Sequence, residues 1–325
     1  MLRNFKILLL TLVLCLSTVV RAQTVADTVA IETSGNYITV PVMLNGKPKR
    51  FILDTGCAAN VVFRHALDSM EMAATNVAVI ESSTGKSETA ERMMCRMRVC
   101  VLDSDEMTPV YVTDVDSIMM MRGDGIVGMQ HILGRNALNM KIDARAKRVV
   151  FTTDKHFFDD EGGWKLRTKL RDGRMVAKVK VSPGIKVKNV VLDSGCDHLF
   201  ALNADDLDRI MSRRHNERFS HQVLGEKASR MGGMYGLSDD NTTALRLDQL
   251  TVAGLRFHNV ETETGRESLL GFPLLQTASI VYYSNGRHIK VSPYTTVRDY
   301  KIVRQEEKVR RNGYTITYEN EMVTP

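Results

Sequence analysis

The chain has 325 residues, 43% of them hydrophobic and 25% charged, which is the composition of an ordinary globular protein. The formal net charge is +6, and the basic residues are scattered without aromatic residues between them. Surfaces that bind nucleic acid need clustered Lys and Arg residues together with stacking aromatics. The composition therefore excludes a disordered chain and argues against a nucleic-acid partner.

The first 22 residues have the organisation of a secretory signal peptide. Arg3 and Lys6 precede an apolar run over residues 7–20, which is too short to span a bilayer comfortably. Residues 20–22 fit the small-residue cleavage motif, and the alternative is a buried core helix. We predict cleavage after Ala22, a mature chain of charge +3 in the periplasm or outside the cell, and no membrane contact once the signal is removed.

Four cysteines remain after this segment: Cys57, Cys95, Cys100 and Cys196. In an exported protein Cys95 and Cys100 could form a disulfide that closes a hairpin loop, or they could be two small apolar strand residues. No Cys/His set in the sequence has the spacing of a zinc site. We therefore expect neither a metal nor an organic cofactor.

A hairpin that ends in an aspartate occurs twice along the chain. Residues 37–44 alternate as a half-buried β-strand does, the Asn-Gly pair at 45–46 is typical of a hairpin turn, and a second apolar run ends in Asp54. Residues 175–181 begin the same pattern again, and it ends in Asp193, 139 residues after the first acid. Each aspartate is thus predicted to follow the second strand of a hairpin.

A glycine after two apolar residues follows each copy downstream, at Gly128 and at Gly271. Gly134 is a rival to Gly128 in the first copy. We prefer Gly128, because residues 124–125 supply a turn and residues 129–138 then form one predicted helix.

The two copies divide the chain into two predicted lobes. We place the N-terminal lobe at residues 23–160 and the C-terminal lobe at residues 161–299, with the boundary in the acidic, glycine-containing stretch at 159–163. Residues 300–325 are predicted to form a charged tail or a terminal hairpin. Helical patterns are few, apart from a helix that Asn203 caps, so the fold class is mostly β.

Two aspartates in one site cannot both ionise easily, because like charges a few ångströms apart repel each other. One proton is then held between them, so that one carboxyl is an acid and the other a base. A water held between them can lose a proton to one aspartate while the other protonates a substrate carbonyl. A glycine after each acid lets backbone amides approach the carboxylates, and a small hydroxyl can tie the two loops together.

The sequence resembles the pepsin and retropepsin-like aspartic proteases over residues 36–292. The Asp-Thr-Gly and Asp-Ser-Gly motifs at 54–56 and 193–195 each follow an apolar strand, and Ile-Val-Gly and Leu-Leu-Gly at 126–128 and 269–271 match the later glycine element. The resemblance implies a mostly β, two-lobed fold with an internal duplication and a central cleft. It also implies catalytic and supporting residues: Asp54 and Asp193 for catalysis, and Thr55, Gly56, Ser194 and Gly195 for support.

Two features of the predicted site depart from the family. The predicted flap at residues 80–86 has no tyrosine, and the position after each motif glycine is a cysteine, Cys57 or Cys196, instead of a residue with a hydroxyl. A thiol is a weaker hydrogen-bond donor to the adjacent carboxylate than a hydroxyl, so we expect the activity to be highest at about pH 5 to 6 rather than in strong acid.

The glycine-rich stretch at 230–236 lacks the context of a phosphate loop, and we interpret it as a mobile loop at the cleft.

Together these features predict an exported aspartic endopeptidase that hydrolyses peptide bonds with a water activated between Asp54 and Asp193. The substrate is expected to be a peptide or protein bound in the cleft, and a monomer is expected because one chain carries both halves of the site. The alternative is a non-catalytic peptide- or glycan-binding protein that retains the fold. The presence of both aspartates favours the enzyme.

Overall fold

The computed structural model describes residues 25–67, 76–212, 219–228, 232–238, 240–311 and 314–325. The predicted signal peptide and the residue pair 312–313 lie outside these ranges. No helix within them is long and apolar enough to cross a membrane.

The structure is mostly β, as the sequence predicts. In chain order the strands are β1 (Ala26–Ala30), β2 (Glu32–Ser34), β3 (Tyr37–Leu44), β4 (Lys47–Leu53), β5 (Val61–Phe63), β6 (Asn76–Glu81), β7 (Ser87–Arg98), β8 (Met107–Thr113), β9 (Gly125–Val127), β10 (Asn139–Asp143), β11 (Arg148–Thr152), β12 (Trp164–Arg171), β13 (Arg174–Ser182), β14 (Ile185–Leu192), β15 (Phe200–Asn203), β16 (His221–Ala228), β17 (Gly232–Gly233), β18 (Gly236–Leu237), β19 (Asn241–Val252), β20 (Leu255–Gly265), β21 (Leu269–Leu270), β22 (Ala278–Tyr282), β23 (His288–Pro293), β24 (Asp299–Arg311) and β25 (Tyr314–Thr324).

Helical segments are short. They are a 3₁₀ turn (Arg64–Ala66), α1 (Ser117–Arg122), a π-helical segment (Gln130–Arg135), α2 (Ala204–Met211) and α3 (Pro273–Thr277). Asn203 caps α2 as predicted, since its side chain accepts the amide of Asp206. The helix predicted over residues 129–138 is instead the short π-helical segment.

Two large sheets carry the two copies of the repeated hairpin. One has the order β2-β3-β4-β9-β5-β8-β7-β6, and the other runs β1-β11-β10-β22-β23-β12-β13-β14-β21-β15-β20-β19-β16, with β24 beside β20 and β25 beside β24. The hairpins β3–β4 and β13–β14 are antiparallel, and each second strand then pairs in parallel with the strand before a downstream glycine: β4 with β9 and β14 with β21. Both halves therefore have the same strand connectivity and pairing, as expected for a two-lobed duplicated fold.

Strand alternation divides each half into a core side and an opposite side. In the first half Leu53 and Val127 point into the main hydrophobic core, while Ile52 and Ile126 belong to a second cluster. In the second half Leu192 enters the main core. We call the second cluster, made of Tyr37, Ile52, Val61, Phe63, Met119 and Ile126, the N-terminal apolar patch. Its counterpart, the C-terminal apolar patch, is made of Val176, Val191, Cys196, Ala201 and Leu269.

Two further segments differ from or complete the sequence-based prediction. Residues before the first predicted strand form β1 and β2, and β1 pairs with β11 in the long sheet. The strands β24 and β25 pair antiparallel, with Lys301 opposite Thr324 and Arg311 opposite Tyr314, which is the arrangement of a terminal hairpin. Cys95 and Cys100 are both buried and carry no disulfide.

Glycine at 128 and at 271 is required by close backbone contacts. A Cβ added to Gly128 would lie 2.3 Å from the carbonyl oxygen of Ala59, and one added to Gly271 would lie 2.0 Å from that of His198. At Gly134 the nearest atom would be 4.0 Å away. This geometry supports Gly128, and not its rival, as the partner of Gly271.

We expect Gly128→Ala and Gly271→Ala each to lower the free energy of unfolding by roughly 1–3 kcal/mol, because the added methyl overlaps a fixed carbonyl. Gly134→Ala is the matched control and should leave stability unchanged or slightly raised. Urea unfolding followed by circular dichroism measures all three. Equal stability of the three variants would contradict the assignment.

Candidate active site

Asp54 and Asp193 meet between the two halves of the molecule. Each directly follows the second strand of its hairpin, and the two carboxyl groups are in hydrogen-bonding contact. A Cβ added to Gly56 would lie 2.3 Å from Cγ of Asp193, and one added to Gly195 would lie 2.8 Å from Oδ2 of Asp54. Each motif glycine therefore leaves room for the carboxylate of the opposite half.

Four crossed hydrogen bonds hold the two aspartate loops together. The amide of Thr55 donates to Ser194 Oγ at 3.0 Å, and the amide of Ser194 donates to Thr55 Oγ1 at 2.9 Å. Each hydroxyl then donates to a carbonyl of the opposite half, Thr55 to Leu192 and Ser194 to Leu53, both at 2.8 Å. Both side chains are buried, so water does not compete for these bonds and the register of the two loops is fixed.

Tyr282 of β22 supports this network. It is buried, it hydrogen-bonds with Thr55, and burial raises the pKa of its phenol, so the side chain stays neutral beside the two acids. Nothing local in the sequence marks Tyr282, because its strand reads as an ordinary buried strand and its partner lies more than 200 positions away.

The two carboxyls receive different hydrogen bonds. Oδ1 of Asp54 accepts the amides of Gly56 at 2.8 Å and Cys57 at 3.1 Å. Oδ1 of Asp193 accepts the amide of Gly195 at 2.8 Å. Because amide donors stabilise the charged form of a carboxyl, Asp54 is the better site for the negative charge.

Electrostatics lead to the same assignment. Burial raises the pKa of both acids, although each stays partly accessible from the cleft. The negative charge of Asp54 raises the pKa of Asp193 further, to well above its usual range, whereas hydrogen bonds from Asp193, Gly56 and Cys57 oppose the effect of burial on Asp54. The shared proton therefore resides on Asp193, and the site holds one acid and one base.

Arg174 contributes a positive charge near the pair. It begins β13, and its guanidinium donates twice to Glu267, with both N–O distances at 2.7 Å. Its charge lowers the pKa of both Asp54 and Asp193. Sequence reasoning missed Arg174, since a basic residue at a strand start next to a turn is common on protein surfaces.

The two cysteines after the motif glycines bond to main-chain carbonyls. The thiol of Cys57 donates to Ala59 O at 3.2 Å, and that of Cys196 donates to His198 O at 3.5 Å. Burial raises the pKa of the Cys57 thiol, with the charge of Asp54 adding to the effect, so it stays protonated. These contacts are those of small residues that line the site. The pH of highest activity, expected at about 5 to 6, stays a prediction.

A buried histidine–glutamate pair lies next to the Asp193 loop. His198 Nε2 lies 3.1 Å from Oε1 of Glu263, and Thr242 donates to the other oxygen at 3.1 Å. Burial opposes the ionisation of Glu263, yet the hydrogen bond with His198 leaves its pKa below the usual range. Because Cys196 also bonds to the backbone of His198, this pair fixes the loop that carries Asp193.

The predicted flap is a hairpin that reaches the opposite half. Its turn, between β6 and β7, is closed by a hydrogen bond from the amide of Ser82 to Lys86 O at 2.8 Å. Glu81, the last residue of β6 before this turn, forms a salt bridge of 2.6 Å with Arg266. The flap turn is therefore tied to the second half of the chain.

The structure thus brings together all the site residues that the sequence predicted: Asp54, Thr55, Gly56, Asp193, Ser194 and Gly195. It adds Tyr282, Arg174 and His198, which sequence reasoning did not single out. Among the described residues, no group of His, Cys, Asp and Glu side chains is arranged to hold a metal ion.

Burial of Asp193 should reduce stability as the pH rises. Its pKa in the folded chain exceeds the value of 3.8 expected when it is exposed, so the unfolded chain releases the proton more easily. Stability linked to Asp193 is therefore present below about pH 4 and is lost as the pH rises through the folded pKa. We expect Asp193→Asn to raise the melting temperature at pH 7. The difference in melting temperature between variant and parent should decrease as the pH is lowered towards 4.

Scanning calorimetry across this pH range measures the difference between variant and parent. Asp105→Asn, at an exposed position, is the control and should show no such trend. A constant or inverted difference would mean that Asp193 is not protonated in the folded chain.

One comparison with known proteins agrees with this geometry. A protein-family model described as aspartyl protease matches residues 40–131, which include the first aspartate motif and Gly128. No curated protein matches the chain. The match supports an aspartic protease family for this chain.

Proposed function

We propose that the protein is an aspartic endopeptidase that hydrolyses peptide bonds with a water activated between Asp54 and Asp193. The observation that carries the proposal is the pair of carboxyls held face to face by the crossed bonds of Thr55 and Ser194. The aspartyl protease match supports a protease in general. Export after cleavage at Ala22 would place the enzyme in the periplasm or outside the cell, where it acts as a monomer.

The first step uses the unequal protonation of the pair. Asp54, the ionised partner, takes a proton from the bound water as the water oxygen attacks the carbonyl carbon of the substrate. Asp193 gives its proton to the carbonyl oxygen. The product of this step is a neutral tetrahedral diol, and the proton now resides on Asp54.

The second step reverses both roles. Asp54 returns its proton to the amide nitrogen as the carbon–nitrogen bond breaks, and Asp193 takes back a proton from a hydroxyl of the diol. The pair ends with its proton on Asp193, so no external acid or base is consumed. The cycle needs both carboxyls within reach of one water, and the crossed ties hold them there.

Removing either carboxyl should abolish turnover. We expect the chain from residue 23 onward to cleave members of a diverse peptide library between about pH 3 and pH 8, and a statine-type inhibitor to block cleavage. Asp54→Asn and Asp193→Asn should each lower kcat/KM on the order of 10²- to 10⁴-fold or more. Exposed Asp240→Asn is the control.

Cleavage that survives in either active-site variant would defeat the proposal. A folded parent that binds peptides without cleaving them at any pH would favour the alternative, a non-catalytic peptide- or glycan-binding protein.

The charge beside the pair should set the position of the pH–rate profile. Arg174→Gln removes a charge that lowers the pKa of both aspartates, so both limbs of the profile should move to higher pH. Glu267→Gln leaves the charge of Arg174 unpaired and should move both limbs to lower pH. The pair Arg246–Glu261, at 2.6 Å, is a comparable ion pair elsewhere, and Arg246→Gln should leave the profile in place.

Initial rates of peptide cleavage as a function of pH measure these shifts. Movement of the Arg174 and Glu267 variants in the same direction would contradict the electrostatic account.

A further inference from the structure

A small hairpin of the second half projects into the first half. Gly232 pairs with Leu237 and Gly233 with Gly236, which leaves Met234 and Tyr235 at the apex. Gly236 has φ +97°, a conformation that favours glycine, so the tight turn depends on it. A hairpin tip usually carries small polar residues, and this one presents two large side chains instead.

Both apex residues contact the N-terminal half. The carbonyl of Met234 accepts the amide of Asp116 at 3.2 Å, and the hydroxyl of Tyr235 lies 3.2 Å from Thr113 Oγ1. The side chain of Met234 packs against the N-terminal apolar patch. The hairpin therefore makes one main-chain bond, one side-chain bond and one apolar contact, which are the kinds of contact that a bound peptide makes.

The N-terminal apolar patch lies beside the reacting groups. Ile52 lies in β4, two positions before Asp54, and Cys57 packs against the patch while its amide donates to Asp54 Oδ1 at 3.1 Å. The C-terminal apolar patch contains Cys196, the matching residue of the Asp193 loop. The duplication thus places one apolar patch on each side of the pair, and Met234 covers the first.

The flap closes over the same hairpin. Ser82 and Thr84 lie in the flap turn, yet they are only 6% and 5% exposed. Gly233 accounts for part of this burial, because a Cβ added to it would lie 1.9 Å from Ser82 Oγ and 3.1 Å from Thr84 Cγ2. The hairpin therefore contacts the flap turn through Gly233 and the N-terminal apolar patch through Met234.

We propose that residues 232–236 occupy the place of a substrate residue, with Met234 filling the pocket that receives an apolar side chain next to the cleaved bond. Substrate must displace this internal occupant, so the closed form is self-inhibited. The pocket accepts a long, flexible side chain, and substrates with methionine or leucine at that position are preferred. This inference rests on the proposed protease function.

A reversible crosslink tests the occlusion directly. The Cβ positions of residues 82 and 233 lie 3.3 Å apart, close to the spacing of about 3.5–4.5 Å in disulfides. We expect Ser82→Cys combined with Gly233→Cys to lose peptide cleavage and statine-peptide binding after oxidation, and to regain both after reduction. The two single variants are the controls and should respond to neither treatment.

A second variant tests the occlusion by Met234 without a crosslink. Met234→Ala should lower KM and the statine-peptide Kd by roughly fivefold or more, because less apolar contact holds the closed form. Met43→Ala, at a partly exposed strand methionine, is the control and should change neither constant.

The outcomes separate this inference from the function on which it rests. An oxidised double variant that cleaves and binds as well as the reduced form, or a Met234→Ala variant with unchanged constants, overturns the inference and leaves the protease intact. Redox-controlled binding of the statine peptide without cleavage by any variant supports the occlusion and defeats the protease proposal.

Discussion

The crossed hydrogen bonds of Thr55 and Ser194 are the interaction on which the site depends. They hold two acidic side chains in contact although burial and mutual repulsion both favour separating them. Each bond joins one half of the chain to the other, so neither half can form the site alone. The buried Tyr282 hydroxyl adds a neutral support below, and glycine at 56 and 195 removes the side-chain volume that would keep the carboxyls apart.

Hydrogen bonds from neighbouring parts of the fold offset the free-energy cost of burying two carboxyl groups together. A protonated Asp193 is tolerated because its neighbour carries the charge, and that neighbour is stabilised by two backbone amides. Behind the second loop, the pair His198–Glu263 is satisfied by hydrogen bonds, so a buried charge supports the loop without being left unpaired. Stability is thus reduced at one point and recovered through packing and hydrogen bonding around it.

The two halves share their strand connectivity but differ in the side chains that surround the aspartates. Both halves have the same hairpin, the same parallel pairing and an apolar patch beside the aspartate loop. They differ in two respects. Ile80 of the flap and Met234 of the hairpin pack against the N-terminal apolar patch, and the C-terminal half places the charge of Arg174 near the two aspartates. The unequal amide hydrogen bonds give the two aspartates different protonation states, and the packing of the flap and the hairpin makes the two sides of the cleft different.

The sequence by itself determined the features that depend on local pattern. The hairpins before Asp54 and Asp193, the downstream glycines and the Asn203 cap were predicted because strand alternation, turn chemistry and capping act between near neighbours. The strand β1, the Tyr282 support, the charge of Arg174 and the placement of Met234 were decided by the tertiary structure. Their partners lie far away along the chain, as Thr113 does from Tyr235 with 122 positions between them. Contacts of that range form only in the tertiary structure, within one half or between the two, so no local pattern of residues encodes them.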